Sequence, residues 1–346
     1  MKGLLDGLVA LSGLRDREGL DFALVSLIAT TVLAGRASVQ LVQAVGQPQD
    51  LRCLVRARLR PGQEMPDQDK VWADLSRLPK LSAFAHRQTL LATQRYLSRG
   101  EHPRLCLFPV DARGSSADSL VEIACERSLT PSQRRAIEHV VQLFQNLQGL
   151  LDYGEKDPLT DLLNRKTFDR AFLRAAAAHS DTAVPGVPER RQTHDHDSAS
   201  SYWLAMIDID HFKRVNDSYG HLIGDEVLLL LARQMRCNFR WSDQLYRFGG
   251  EEFVVLLRCT GHPQAKKILE RFRLHVQAHA FPQVGGITVS LGFAALRCDD
   301  TPSTAIGRAD RAVYVAKGQG RNRVCSYAEL VTAGELSEAV AQNEEA

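Results

Sequence analysis

The sequence predicts two α/β domains in tandem, the second a single sheet with helices packed on it. Three observations carry this. A length of 346 residues exceeds one typical domain. Beyond about residue 155 the periodic segments run α-β-α-β-β-α-β-α-β, the order of a sheet covered by helices. Within that run, Arg247-Phe248-Gly249-Gly250-Glu251-Glu252-Phe253 is flanked by Leu245 and by Val254 to Leu257. It reads as two strands meeting at a Gly-Gly turn.

Residues 1–130 read as the first domain. The most apolar stretch, Phe22 to Ala34, is bounded by Asp21 and Arg36 and is too short to span a bilayer. A buried helix is expected over about Asp21–Ala34. The N-terminus shows no secretory signal, and no transmembrane segment is expected. Ala37–Val45 alternates and reads as a strand. So does Leu51–Leu59, where apolar and basic residues alternate. Arg60–Asp69 is rich in Pro, Gly and Asp and reads as a loop. Leu105–Val110 and Leu120–Cys125 are further short strands. Thr130-Pro131 is an N-cap and first-turn proline, opening a helix to about Tyr153.

That helix links the halves over residues 131–156. Ile137, Phe144 and Leu151 lie seven apart, and so do Val140 and Leu147. Two readings fit: a short dimeric coiled coil, or an amphipathic helix packed on its own domain. Two heptads do not separate them.

Asp157-Pro158 ends the linker and opens the second domain, expected over residues 157–328. Its first helix runs to about Ala178. Asp181–Ser201, polar and rich in Pro, His, Asp and Ser, is expected to be a disordered insertion. Tyr202–Ile209 is apolar on both faces, as a central strand should be. Helical periodicity covers Gly224–Phe239. After the hairpin come a helix over Pro263–Ala278, a strand over Gly286–Ala295 and a helix over Thr301–Gly318. Val324–Tyr327 is a last strand, and residues 329–346 are expected to form a flexible acidic tail.

A formal net charge of +2 gives no ground for a nucleic-acid partner. The seven cysteines are scattered without any C-x-x-C pair. That suits reduced thiols in a cytoplasmic protein better than a disulfide framework or a zinc site.

The chemistry concentrates in the second half. Gly249 and Gly250 let the backbone bend sharply and approach a ligand. Glu251 and Glu252 at the turn's exit can hold a hard cation such as Mg²⁺. An ordinary hairpin with solvated glutamates would look the same. A second acidic segment about forty residues upstream, Met206-Ile207-Asp208-Ile209-Asp210, strengthens the cation reading. Taken singly, Asn216 reads as a helix cap and Asp225 as a first-turn acid. Lys317 and Arg321 read as cations at the negative end of a helix. Arg240-Trp241-Ser242-Asp243 reads as a surface salt bridge.

Five blocks stand in order. They are Asp157-Pro158-Leu159-Thr160-Asp161-Leu162-Leu163-Asn164-Arg165; Asp208-Ile209-Asp210-His211-Phe212-Lys213-Arg214-Val215-Asn216-Asp217; Gly220-His221-Leu222-Ile223-Gly224-Asp225; the Gly249–Phe253 turn; and Ala316-Lys317-Gly318-Gln319-Gly320-Arg321-Asn322. Together, over about residues 155–328, they resemble the GGDEF diguanylate cyclase domain, which joins two GTP molecules into cyclic di-GMP. The resemblance implies a fold like the palm of nucleotide cyclases and polymerases, α+β, with a central, mostly antiparallel sheet flanked by helices. Asp161 departs from the pattern, standing where the first block often has glycine.

The resemblance also implies roles. Two Mg²⁺ or Mn²⁺ ions per active site would be held by Asp208, the Ile209 carbonyl, Glu251 and Glu252. Attack of a 3′-hydroxyl on an α-phosphate needs such charge neutralisation. Glu251 would also serve as base, with Lys213 as a catalytic cation. Lys317 and Arg321 would bind the triphosphate, and Gly249 and Gly250 would admit it closely. Asn216 and Asp225 would read the guanine edge, with His221 nearby. Apart from the resemblance, Asp210 is read as structural, because along a strand it and Asp208 point the same way only until the chain turns. Arg240 and Asp243 match the family's R-x-x-D inhibitory site for product, with Arg271 as a further contact.

One such domain holds one GTP, so a homodimer is implied. The helix–strand–strand–helix–strand–strand–helix order of the first half resembles a GAF sensory domain answering an unknown small-molecule or protein signal. A PAS or another α/β module fits the same order. The alternative function is a catalytically silent cyclic di-GMP receptor. Silent relatives commonly lose the acidic turn or the strand aspartate, and both are present here.

Overall fold

Alternating and two-sided apolar strands give each half of the chain its own sheet. A computed structural model describes residues 2–46, 49–69, 75–100, 104–110, 119–180 and 201–338. It divides into two units that meet between Gly154 and Glu155.

The first unit opens with α1 (Lys2–Gly13) and α2 (Arg17–Ser26), which continues as a wider π-helical stretch over Leu27–Val32. Then come β1 (Ala37–Val45), β2 (Arg52–Leu59), α3 (Ala85–Thr93), β3 (Leu97–Arg99), β4 (Arg104–Val110), β5 (Ser119–Cys125) and α4 (Pro131–Glu155). The sheet order is β2-β1-β5-β4-β3, antiparallel throughout. One face carries Val39, Leu41, Val121 and Ile123 against Leu24 and Ile28. The other carries Val42, Leu107 and Leu120 against Leu90 of α3.

The apolar seam of α4 belongs to this core. Ile137, Val140 and Phe144 are fully buried in the unit's own sheet-and-helix cluster, and Leu147 and Leu151 pack partly against it. The coiled-coil reading of that seam is therefore corrected. An apolar stripe within reach of a hydrophobic sheet face buries there first. The helix start is as read: Gln133 N donates to Thr130 Oγ1 at 3.2 Å, and Gln133 Oε1 accepts from Thr130 N at 3.0 Å.

The second unit contains β6 (Leu163–Asn164), α5 (Arg165–Ser180), β7 (Ser201–Ile209), α6 (Phe212–Tyr219) and α7 (His221–Asn238). It continues through β8 (Gln244–Gly249), β9 (Glu252–Cys259), α8 (His262–Ala278), β10 (Ala280–Phe281), β11 (Gly285–Gly286) and β12 (Val289–Ala295). It ends with α9 (Pro302–Gly318), β13 (Val324–Ser326) and α10 (Tyr327–Thr332). The order of the main sheet is β13-β12-β7-β9-β8-β6, with only the outer pairs β12–β13 and β6–β8 parallel. The fold is thus α+β with a mostly antiparallel sheet flanked by helices.

β7 is central, as its two-sided apolar character predicted. Ala205, Ile207 and Ile209 pack with Phe253 and Val255 beneath α7 and α8. On the opposite face α9 approaches so closely that a Cβ at Gly292 would lie 2.2 Å from the Ala309 carbonyl oxygen. Glycine is required there by space alone.

The short elements β6, α6, β10, β11 and α10 were not expected. The tail begins with α10, whose Leu330 is buried against Ala312, Ala316 and Tyr327, so it is not a free segment from residue 329. Ser326 caps it by accepting from Glu329 N. The short α6 goes unread although Phe212, Val215 and Tyr219 stand at helical spacing, because eight residues hold only about two turns of that pattern. Residues 181–200 of the expected insertion lie outside the described residues. No helix among the described residues is long and apolar enough to cross a membrane.

Candidate active site

The end of β7 places Asp208 between two neighbouring strands, in register with Ser290 of β12 and Glu252 of β9. The carboxylate is buried, and its two oxygens differ. Oδ2 pairs with Lys317 Nζ at 2.7 Å. Oδ1 is enclosed without a hydrogen-bond partner. Burial pushes the Asp208 carboxyl above the usual range, and Lys317 opposes this only in part. Glu251, in the hairpin turn, is raised by burial and then by the Asp208 charge, with Lys317 again opposing. Asp208, Glu251 and Lys317 therefore share one electrostatic environment.

The turn has the expected backbone. Gly249 has φ 150° and Gly250 φ 51°, and a Cβ on either would meet open space. Gly250 is needed for its left-handed conformation, and the space beside both is free for a ligand. Arg247, which sequence reasoning did not single out, holds the turn. Its Nη2 and Nε donate to the Gly250 carbonyl at 2.9 and 3.2 Å, and its Nη1 donates to Asp157 Oδ1 at 2.9 Å. The same Asp157 oxygen accepts from Thr160 N at 2.8 Å and Thr160 Oγ1 at 2.7 Å. Burial raises the Asp157 carboxyl, but Thr160 and Arg247 outweigh it and hold it below the usual range. The first block of the sequence is thus tied to the acidic turn. The available signal was an arginine beside Phe-Gly-Gly and an aspartate heading an Asp-x-x-Thr turn.

Asp210 is a buried hub, as its structural reading expected. It accepts from Thr288 Oγ1 and Ser290 Oγ at 2.7 Å each and from Asn322 N at 3.0 Å. The last bond fixes the loop after α9, where Arg321 and Asn322 both have positive φ, 65° and 45°. Arg321 is held there by its amide, which donates to the Ala316 carbonyl at 3.0 Å.

Asn216 lies on α6, against the start of α7. A Cβ at Gly224 would fall 1.9 Å from Asn216 Oδ1, so Gly224 makes room for that carboxamide beside Asp225. His221 begins α7 and, like Asp225, is exposed. Lys213 is exposed in the first turn of α6. Ile209 is buried opposite Val289, and Glu252 is exposed opposite Asp208.

Asp208 and Glu251 are hard oxygen donors, and the orphaned Asp208 Oδ1 lacks the positive partner that a buried carboxylate oxygen requires. The residues present fit a divalent cation. Among the described residues, no group of three or more acidic, His or Cys side chains is gathered for a metal.

Arg240, Asp243 and Arg271 come together elsewhere. Asp243 Oδ2 accepts from Arg240 N at 2.8 Å, and Asp243 N donates to the Arg240 carbonyl at 3.0 Å. Burial pushes the Asp243 carboxyl up to about 6, against the charges of Arg240 and Arg271. Arg271, on α8, donates to the Asn238 carbonyl at 2.6 Å.

Residues 155–323 match the family model described as Diguanylate cyclase, GGDEF domain. The chain is 36% identical over 221 residues to Diguanylate cyclase DgcP of Pseudomonas aeruginosa, a match covering 57% of this chain and 31% of that protein. It is 35% identical over 239 residues to Response regulator PleD of Caulobacter vibrioides, covering 64% and 49%. With Diguanylate cyclase DgcM of Escherichia coli it shares 37% over 184 residues, covering 50% and 44%. These matches span between 31% and 49% of the length of the relatives.

Proposed function

Because the second unit carries a GGDEF domain of the diguanylate cyclase family, we propose that the protein condenses two GTP into cyclic di-GMP and two pyrophosphates. One observation carries the reading: a buried strand-end aspartate with an orphaned oxygen shares its field with a turn glutamate and a lysine. Asp208 and Glu251, with the Ile209 carbonyl and Glu252, would hold Mg²⁺ or Mn²⁺, which when bound supplies Lewis-acid stabilisation of the phosphoryl oxygens.

The chain's own residues divide the remaining work. Glu251 takes the proton of the attacking 3′-hydroxyl. Lys317 and Arg321 neutralise the triphosphate, with Lys213 adding charge from α6. Gly249 and Gly250 let the backbone lie against the nucleotide. Asn216 and Asp225 accept the N–H donors of the guanine edge, beside His221. Two such domains must face each other, so the active species is a homodimer.

Product bound at Arg240, Asp243 and Arg271 restrains turnover. The first unit is the sensory module, GAF-like in its element order. A cleft of about 550 Å³ against α4, lined by Arg95, Tyr96, Phe108, Arg134 and Gln142, offers room for a small-molecule signal.

The test is direct. Purified protein incubated with GTP and Mg²⁺ should form cyclic di-GMP, resolved by chromatography, and Glu251→Gln should remove that activity without altering the melting curve. A folded wild type that makes no product yet binds cyclic di-GMP would replace the cyclase reading with a receptor.

A further inference from the structure

Lys317 is asked to be in two places. In this structure its ammonium sits 2.7 Å from Asp208 Oδ2, while the proposed reaction needs it on the triphosphate. Lys317 is the cation that offsets burial at both carboxylates. At Asp208, the Asp210 and Asp310 charges act in the opposite sense, and at Glu251 the Asp208 and Glu252 charges do. Its side chain is 33% exposed, on the last turn of α9, whereas that of Asp208 is 9% exposed. The lysine is therefore the movable partner and the aspartate the fixed one.

We propose that Lys317 is a displaceable counter-ion which stands in for the metal until the nucleotide arrives, so that metal and triphosphate bind interdependently. The inference rests on the cyclase reading above. A divalent ion approaching the free protein meets an ammonium already on its ligand. Displacing that ammonium alone strips Lys317 of its carboxylate partner. A triphosphate gives the displaced lysine a new anion, and the metal then takes over Asp208. By linkage, each ligand raises the affinity of the other by the same factor. The device also keeps the buried Asp208 charge paired between turnovers, where an unpaired one would be costly.

The experiment titrates the protein with Mn²⁺ alone, without nucleotide, and reads free Mn²⁺ by electron paramagnetic resonance. Lys317→Met and Lys317→Gln should bind Mn²⁺ about tenfold more tightly than wild type. Lys317→Arg, which keeps the charge, should behave as wild type. The added affinity should vanish when Lys317→Met is combined with Asp208→Asn. Thermal melting gives a second readout, since Mn²⁺ alone should raise the midpoint of the Met and Gln variants much more than that of wild type. Equal Mn²⁺ affinity in wild type and both neutral variants overturns the proposal.

A parallel titration with a non-hydrolysable GTP analogue separates the two levels. If Asp208→Asn retains analogue-dependent Mn²⁺, the metal assignment fails and the proposal with it. If Asp208→Asn loses it while Lys317→Met matches wild type without nucleotide, only the displacement fails.

Discussion

Each unit buries one carboxylate on an inner strand of its sheet, and the two are treated in opposite ways. Glu122 on β5 and Asp208 on β7 are 7% and 6% exposed. Glu122 accepts from Arg87 Nε at 2.9 Å and Nη2 at 3.0 Å, from Gln40 Nε2 at 2.5 Å, and has His86 Nε2 at 3.3 Å. Burial pushes its carboxyl up, but these partners outweigh it and hold it below the usual range. Asp208 has one lysine and an orphaned oxygen, and its carboxyl lies above that range. Equal burial with unequal satisfaction separates a carboxylate that holds the fold from one kept available to a ligand.

The largest effect that could break this comparison is on turnover. Asp208→Asn should lower cyclic di-GMP formation about a thousandfold while leaving the melting midpoint unchanged or higher, because a poorly satisfied buried charge is removed. Glu122→Gln should do the reverse. It breaks a buried bidentate pair and should destabilise the first unit by about 3 kcal/mol, measured by urea unfolding. If both substitutions cost the same stability, the distinction between the two carboxylates is wrong.

Of similar size is the effect at Phe144. Because it lies in the first unit's core, Phe144→Ala should cost about 3 kcal/mol of folding stability. The midpoint should not depend on protein concentration in the way a dimer seam would require. Sedimentation across a dilution series should show the same monomer–dimer balance for Phe144→Ala as for wild type, and a shift toward monomer in the variant alone would overturn the packed reading.

The contrast sharpens with pH. Glu122, with its folded pKa lowered, contributes stability that is present above its unfolded value and is lost as pH falls. Asp243 behaves oppositely: burial holds its folded pKa at about 6, above the ordinary aspartate value. The folded state therefore keeps a proton that the unfolded chain has lost, and stability falls as pH rises through that window. Relative to Asp243→Asn, wild type should gain stability between about pH 7 and pH 5. Inhibition by added cyclic di-GMP should weaken as pH falls through about 6, since a protonated Asp243 is a poorer acceptor for a guanine edge. A flat inhibition profile would remove Asp243 from the product site.

Much of this was legible in the sequence, for identifiable reasons. β1 and β7 could be read because strict alternation and a two-sided apolar run are strong local signals. The acidic turn could be read because glycines and adjacent carboxylates sit together in the chain. The fate of the α4 seam could not, because a heptad stripe is the same whether it meets a partner helix or its own sheet. Nor could Arg247, whose partners Gly250 and Asp157 lie 3 and 90 residues away. Asp210 could be set apart from Asp208 as structural, but its partners could not be named. Only the position of β12 and the post-α9 loop shows that one is saturated with donors and the other is not.

The smallest expected effect concerns Asp161, the departure from the family's first block. It has φ 56°, in the left-handed region where a Cβ is unfavourable by about 1 kcal/mol or less for aspartate. Glycine would remove that strain but costs about 0.5–1 kcal/mol through the freer unfolded chain. What aspartate adds is charge: its carboxylate lies 3.0 Å from Lys156 Nζ and 3.7 Å from Arg236 Nη2. Such partly exposed pairs contribute about 0–1 kcal/mol and are screened by salt. Asp161→Ala keeps the strain and loses the pairs, so it should destabilise by about 1 kcal/mol. Asp161→Gly should sit within about 0.5 kcal/mol of wild type, and should improve relative to it as salt is raised. Melting curves of the three proteins across a salt series decide this. If alanine equals glycine, the backbone conformation is not what the family's glycine serves, and Asp161 is held by its ion pairs alone.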